Sequence, residues 1–130
     1  MADIDDLKAS FEQLTQAYNS GNLDAFSAGM DDEVTVFTPL SPFPVEGRAA
    51  VKQFYQVLSA NAESVTATRI NSQFRVIGTT GLVWGYTAFA VKPKDGPMMN
   101  IFVRQTWTFT KSDGQWFVVA AHFSRLPSGD

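Results

Sequence analysis

Apolar residues recur every three or four positions in the first half of the chain and every second position in most of the rest. Ile4, Leu7, Phe11, Leu14 and Tyr18 form one stripe, the spacing of an amphipathic helix. Asp3 is placed to cap its start, and Asn19-Ser20-Gly21 to stop it, since glycine accepts the positive φ of a helix end. Asn22 opens a second, short helix with Leu23, Phe26 and Met30 on its apolar side. Glu33 to Thr38 alternates like a strand, with Val34, Val36 and Thr38 on one face. The stretch TPLSPFPVEG, rich in proline, predicts a loop. Helical spacing returns from Arg48 to about Ala60, with Val51, Phe54, Tyr55 and Leu58 on one side.

From Thr66 to Ile77 the chain alternates Thr68, Ile70, Ser72, Phe74 and Val76 against Arg69, Asn71, Gln73 and Arg75, a strand with one wet face. Turns at GTTG, PKDGP and KSDGQ separate LVWGYTAFAVK, NIFVRQTWTFT and WFVVAAHF. Asp113-Gly114 is a hairpin signal. In NIFVRQTWTFT one face holds Ile101, Val103, Gln105, Trp107 and Phe109. Gln105 is the anomaly, because a buried amide without partners costs about 1–3 kcal/mol. It needs a neighbour, a water or a ligand.

The other two late strands are apolar on both faces. Trp84, Tyr86 and Ala88 oppose Val83, Thr87 and Phe89, and Phe117, Val119, Ala121 and Phe123 oppose Trp116, Val118, Ala120 and His122. Helices first and antiparallel strands later predict an α+β fold, helices covering one face of a curved sheet. The other face needs cover too, which predicts a homodimer, or a larger ring, through the outer sheet face, including Trp116, Val118 and His122.

The chain has 130 residues, the size of a single domain over 1–130. It contains no cysteine and one histidine, so thiolate-metal sites, cysteine nucleophiles and an all-histidine zinc site are excluded within one chain. No metal or cofactor is implied. A net charge of −3 argues against nucleic-acid binding through a basic footprint. No secretory leader and no membrane-spanning run is visible, so the expected location is cytoplasmic. Eleven phenylalanines, three tryptophans and three tyrosines suit either a well-filled core or an aromatic pocket. Asp31, Asp32 and Glu33 are adjacent carboxylates, a solvated turn rather than a metal site.

YNSGNLDAFSAGMDDEVTVFTP, EGRAAVKQFY and DGQWFVVAAHFSRLP resemble the nuclear transport factor 2-like superfamily, in its SnoaL-like and ketosteroid isomerase-like branch. The ending HFSRLP is also similar to the association domain of calcium/calmodulin-dependent kinase. The resemblance covers nearly the whole chain. It implies a cone-shaped α+β barrel, its N-terminal helices on the concave face of a strongly curved, mostly antiparallel sheet, with a pocket in the mouth. It is specific for fold and not for function. At the isomerase's base the chain has Thr38, which cannot serve as a general base near neutral pH. Leu14 stands where the oxyanion tyrosine falls, Gln105 near the second oxyanion donor, and Tyr55 at an auxiliary tyrosine. The pocket arginines of the kinase domain correspond to Ala88 and Trp107.

The pocket implied by this resemblance is lined by Leu14, Tyr18, Thr38, Phe54, Tyr55, Trp84, Tyr86, Gln105 and Trp107. It suits a flat or apolar ligand. Gln105, Tyr55, Thr38 and His122 are the candidates for chemistry. Alternation turns His122 to the outer face with Arg104, and one extra residue in the strand would exchange the faces. Two function classes stand open. One is a small-molecule-binding protein or enzyme using the aromatic cone, and the other a non-catalytic homo-oligomerisation module.

Overall fold

The computed structural model describes residues 3–127. Three helices precede the long strands: α1 (Asp3–Asn19), α2 (Leu23–Ala28) and α3 (Arg48–Ala60). The strands are β1 (Met30–Phe37), β2 (Val45–Glu46), β3 (Ala62–Ile77), β4 (Thr80–Pro93), β5 (Met99–Ser112) and β6 (Gln115–Arg125). They form one curved sheet in the order β2-β1-β6-β5-β4-β3. The four long strands are an antiparallel meander, as the tight turns predict. β1 joins it parallel to β6, the one departure from antiparallel pairing in the sheet.

The local signals explain the elements. Leu7, Phe11 and Leu14 are the buried stripe of α1. Asn22 caps α2, its side chain accepting from Ala25 N at 3.1 Å. Asp3 lies within α1 instead of capping it, and its carboxylate pairs with Lys111 at 2.6 Å. Asp113 and Gly114 both take positive φ, 52° and 78°, the geometry of a two-residue hairpin turn. The helices cover the concave face, where Leu7, Phe11, Phe26, Val83, Trp107 and Phe109 belong to one buried core. Asp31, Asp32 and Glu33 lie on β1, not in a turn. Asp31 accepts from the Glu33 amide, and Asp32 pairs with Arg48 at 2.7 Å.

Two β-bulges overturn the expected facing of side chains. In β3 the register slips between Ile70 and Gln73, with Asn71 at φ 57°. Ser72, Phe74 and Val76 turn inward as alternation predicts, but before the bulge Val65, Ala67 and Arg69 are the inward residues, and Ile70 is exposed. Gly85 lies opposite, where a Cβ would meet the backbone oxygens of Asn71 at 2.9 Å and Ile70 at 3.1 Å. In β6 the slip falls between Ala120 and Val118, leaving Val119 as the extra residue. Trp116 and Val118 are therefore core residues, 5% and 0% exposed, and not members of an outer interface. Beyond the bulge Ala121 and Phe123 are buried and His122 is exposed on the outer face.

Candidate active site: a cone cavity over a buried arginine

The concave face encloses a cavity of about 210 Å³ at the wide end of the cone. α1 contributes Tyr18, α3 contributes Phe54, Tyr55 and Leu58, and the Thr38-Pro39-Leu40 loop forms part of the rim. Val65, Phe89, Val91, Ile101, Val103 and Phe123 come from the sheet, with Met99 and the exposed Arg125 at its edge. Among the residues expected to line a pocket, Tyr18, Thr38, Phe54 and Tyr55 border this cavity. Leu14 is packed in the core beside Gly29. Trp84 and Tyr86 point the other way, 41% and 44% exposed. The reason is β4's pairing: Val83, Thr87 and Phe89 take the inward positions. Gln105 and Trp107 are buried and do not border the cavity.

Tyr18 and Tyr55 are in edge contact, with ring centroids 5.7 Å apart. Burial pushes the Tyr18 phenol up to about 12, against the pull of Arg69, and lifts Tyr55 further. Both stay protonated near neutral pH and can donate a hydrogen bond. Thr38 Oγ1 accepts from the Leu40 amide at 3.3 Å, tying the hydroxyl into the rim turn.

The inward positions behind the cavity wall turn polar, at the first step on β4 and β5 and at the second on β3. Along β3 they run Val65, Ala67, Arg69; along β4, Phe89, Thr87; along β5, Val103, Gln105. The Arg69 guanidinium donates from Nε to Thr15 Oγ1 at 3.0 Å, and from Nη1 to Thr87 Oγ1 at 3.0 Å and Gln105 Oε1 at 3.2 Å. The Thr87 hydroxyl donates to the same Gln105 oxygen at 2.7 Å. Arg69 Cζ lies 4.9 Å from the centroid of Phe11 and 5.2 Å from that of Trp107, distances at which the rings attract a cation. Burial lowers its pKa to about 10, so it remains charged. No carboxylate among the described residues pairs with it. Gln105 thus has the neighbours its position demands, though its Nε2 and the Trp107 Nε1 remain buried without an acceptor.

Arg69 is the residue that strand alternation hides. Its signal was Gly85 inside WGY: an isolated glycine in a strand marks a bulge or a close backbone approach, and a bulge opposite it exchanges the faces of β3.

On the outer face, paired rows run Ile70–Tyr86–Arg104–Ser124 and Gln73–Trp84–Thr106–His122–Phe37. Arg104 Nε donates to Ser124 Oγ at 3.2 Å, and His122 stacks on Phe37 at 5.5 Å. His122 is thereby far in orientation from the cavity-lining Phe123 beside it. Among the described residues, no three histidines or carboxylates converge as metal ligands, and no helix is long and apolar enough to cross a membrane.

Residues 7–128 match the model of the SnoaL-like domain. The chain belongs to the SnoaL-like family. No curated protein sequence matches it, so solved structures supply the remaining comparisons. A nuclear transport factor 2-like family protein from Streptomyces avermitilis, named as a dehydratase candidate, superposes with TM-score 0.87 at 20% identity, over 97% of this chain and 98% of that one. The CaMKII hub of S. rosetta gives 0.83 at 23% identity, over 97% and 98%. A nuclear transport factor 2-like protein from Salmonella enterica gives 0.83 at 12%, over 95% and 91%. At these identities the likeness is one of fold. Proteins with dehydratase and hub names share this fold.

Proposed function

We propose that this SnoaL-like domain, read as a single domain over 1–130, binds a small apolar or flat organic molecule in its cone. The supporting observation is the cavity itself, about 210 Å³ of space bounded by Tyr18, Phe54, Tyr55, Phe89 and Phe123. Aromatic walls hold such a ligand by stacking and area burial, and two protonated phenols orient it. The ketosteroid isomerase reaction is disfavoured, because Thr38 offers a hydroxyl where that family has its base. Gln105 acts behind the wall rather than on the ligand. Native mass spectrometry of the purified protein tests the reading, with Ile101→Trp as the blocked control. A bound small organic molecule lost in Ile101→Trp supports it. Occupancy that Ile101→Trp leaves unchanged sinks it.

A second reading concerns the outer face. Trp84, Tyr86, Phe102, Ile70 and Phe37 are each more than 40% exposed there, and contiguous apolar surface of this kind marks an interaction site. A homodimer through this face, with His122 inside the contact and Trp116 and Val118 outside it, would cover them. Sedimentation velocity checks this: Tyr86→Glu converts the dimer to a monomer, and a wild-type chain that sediments as a monomer at high concentration ends the proposal.

A further inference from the structure

Among the described residues, the interior behind the cavity wall holds one cation, Arg69, and no carboxylate, while a second cation, Arg125, lines the cavity at its exposed rim. Arg69 stands on β3 with its guanidinium between Phe11 and Trp107, and its bonds go to Thr15, Thr87 and Gln105, all neutral. Glu12 borders the outer groove that Arg69 and Lys8 also border, but it accepts from Gln16 and forms no ion pair with Arg69. A buried charge is costly unless paired. Arg69 is half-buried and borders the outer groove, so hydrogen bonds, aromatic faces and that opening offset part of the cost, while no carboxylate among the described residues neutralises the charge. The imbalance extends to neutral groups: Gln105 Nε2 and Trp107 Nε1 are donors without acceptors. The interior therefore holds surplus donors around a cation, a pattern that complements an acceptor bearing negative charge.

The position of the cluster says which end of a ligand it serves. Thr87 and Gln105 occupy the inward positions next to those that wall the cavity on β4 and β5, and Arg69, one inward position further along β3 beyond Ala67, donates to both. Tyr18 bridges the two layers: it borders the cavity and stands one turn of α1 beyond Thr15, which accepts from Arg69, and Tyr55 meets its ring edge on. A negative oxygen at the inner end of the cavity would accept from the phenols and be stabilised through space by the guanidinium. An apolar body would fill the remainder.

Resting on the cavity reading above, we infer that the ligand is a small organic acid, its carboxylate held inward by Tyr18 and Tyr55 in the field of Arg69. Arg69 is then a positioning residue that decides for acids over neutral molecules of the same shape.

Matched pairs test this: phenylacetate, 3-phenylpropionate and 4-phenylbutyrate against the corresponding alcohols, by calorimetry near pH 7, where the acids are ionised. At least one acid binds roughly tenfold or more tighter than its alcohol. Arg69→Gln removes that preference, and Arg69→Lys, which keeps the charge, restores part of it. Tyr55→Phe provides the independent check should Arg69→Gln fail to fold, and it weakens the acid more than the alcohol. Alcohols binding as well as acids, or a preference that survives Arg69→Gln or Tyr55→Phe, overturns the inference and leaves the cavity reading standing. No binding by any of the six overturns it as well, and a native mass spectrum with no bound molecule then takes the cavity reading with it. Stabilisation by sodium chloride alone, abolished in Arg69→Gln and without an acid preference, identifies an inorganic anion and equally overturns it.

Discussion

Arg69 and Arg104 stand on opposite faces of the same sheet, and they differ in everything but their side chain. Arg69 has three hydrogen bonds, two aromatic rings and a pKa lowered by burial. Arg104 is exposed, with one hydrogen bond to Ser124. An exposed guanidinium keeps its hydration and costs nothing to retain. A buried one persists only where its surroundings have been built around it. The inner face therefore speaks for a site, and the outer face, with its exposed Trp84, Tyr86 and Phe102, for a surface.

The contrast between faces can be broken most severely at Trp116. Trp116→Ala should lower stability by about 3–5 kcal/mol in urea denaturation, because the side chain belongs to the core; a cost under about 1 kcal/mol would return it to the outer face. Gly85→Val comes next. Its Cβ would press on the backbone oxygens of the Asn71 bulge, and a cost of roughly 2–4 kcal/mol is expected. An unchanged urea midpoint would mean that the bulge does not depend on glycine. Gln105→Leu strips the acceptor shared by Arg69 and Thr87 and should cost about 1–3 kcal/mol. A stabilised variant would show that the cluster is not cooperative.

Alkaline titration sharpens the same contrast. Tyr18 binds its proton more tightly when folded, about 12 against 10.0. Its contribution to stability is full below the unfolded value and is lost as pH rises through the folded one. Tyr55 is raised in the same sense. Arg69 runs oppositely: its folded value of about 10 lies below 12.5, so raising pH between the two relieves a cost. Two phenols outweigh one guanidinium, and unfolding should set in above pH 10. Tyr18→Phe should then move the midpoint followed by circular dichroism to higher pH, and a midpoint moving lower would contradict the assignment. The smallest effect belongs to the outer face. Phe102→Thr should change the stability of the dilute protein by no more than about 0.5 kcal/mol, and a larger loss would mean that Phe102 packs within its own fold.

Element types were legible because they depend on local spacing. α3 begins at Arg48 and ends at Ala60 as the apolar period indicates, and β5 buries Val103, Gln105, Trp107 and Phe109 on one face. No slip within β5 disturbs its alternation with β4, so Gln105 could be singled out from its neighbours alone. β3 carries an extra residue between Ile70 and Gln73 and β6 one at Val119, and there alternation misleads. Arg69 was assigned to solvent, and Trp116 and Val118 to an interface, for the same reason.

The linear pattern of apolar residues determined that this protein is three helices and a meander of long strands, with an amide buried on one of them. Whether Arg69 or Ile70 entered the cone was decided by tertiary structure. A bulge forms where a facing strand leaves room for it, as Gly85 does for Asn71, and that condition lies on the neighbouring strand. The parallel pairing of β1 with β6 has the same character, since it joins segments more than eighty residues apart, Val36 beside Ala121 and Phe37 beside His122. Side-chain period is a property of one strand, and register is a property of two.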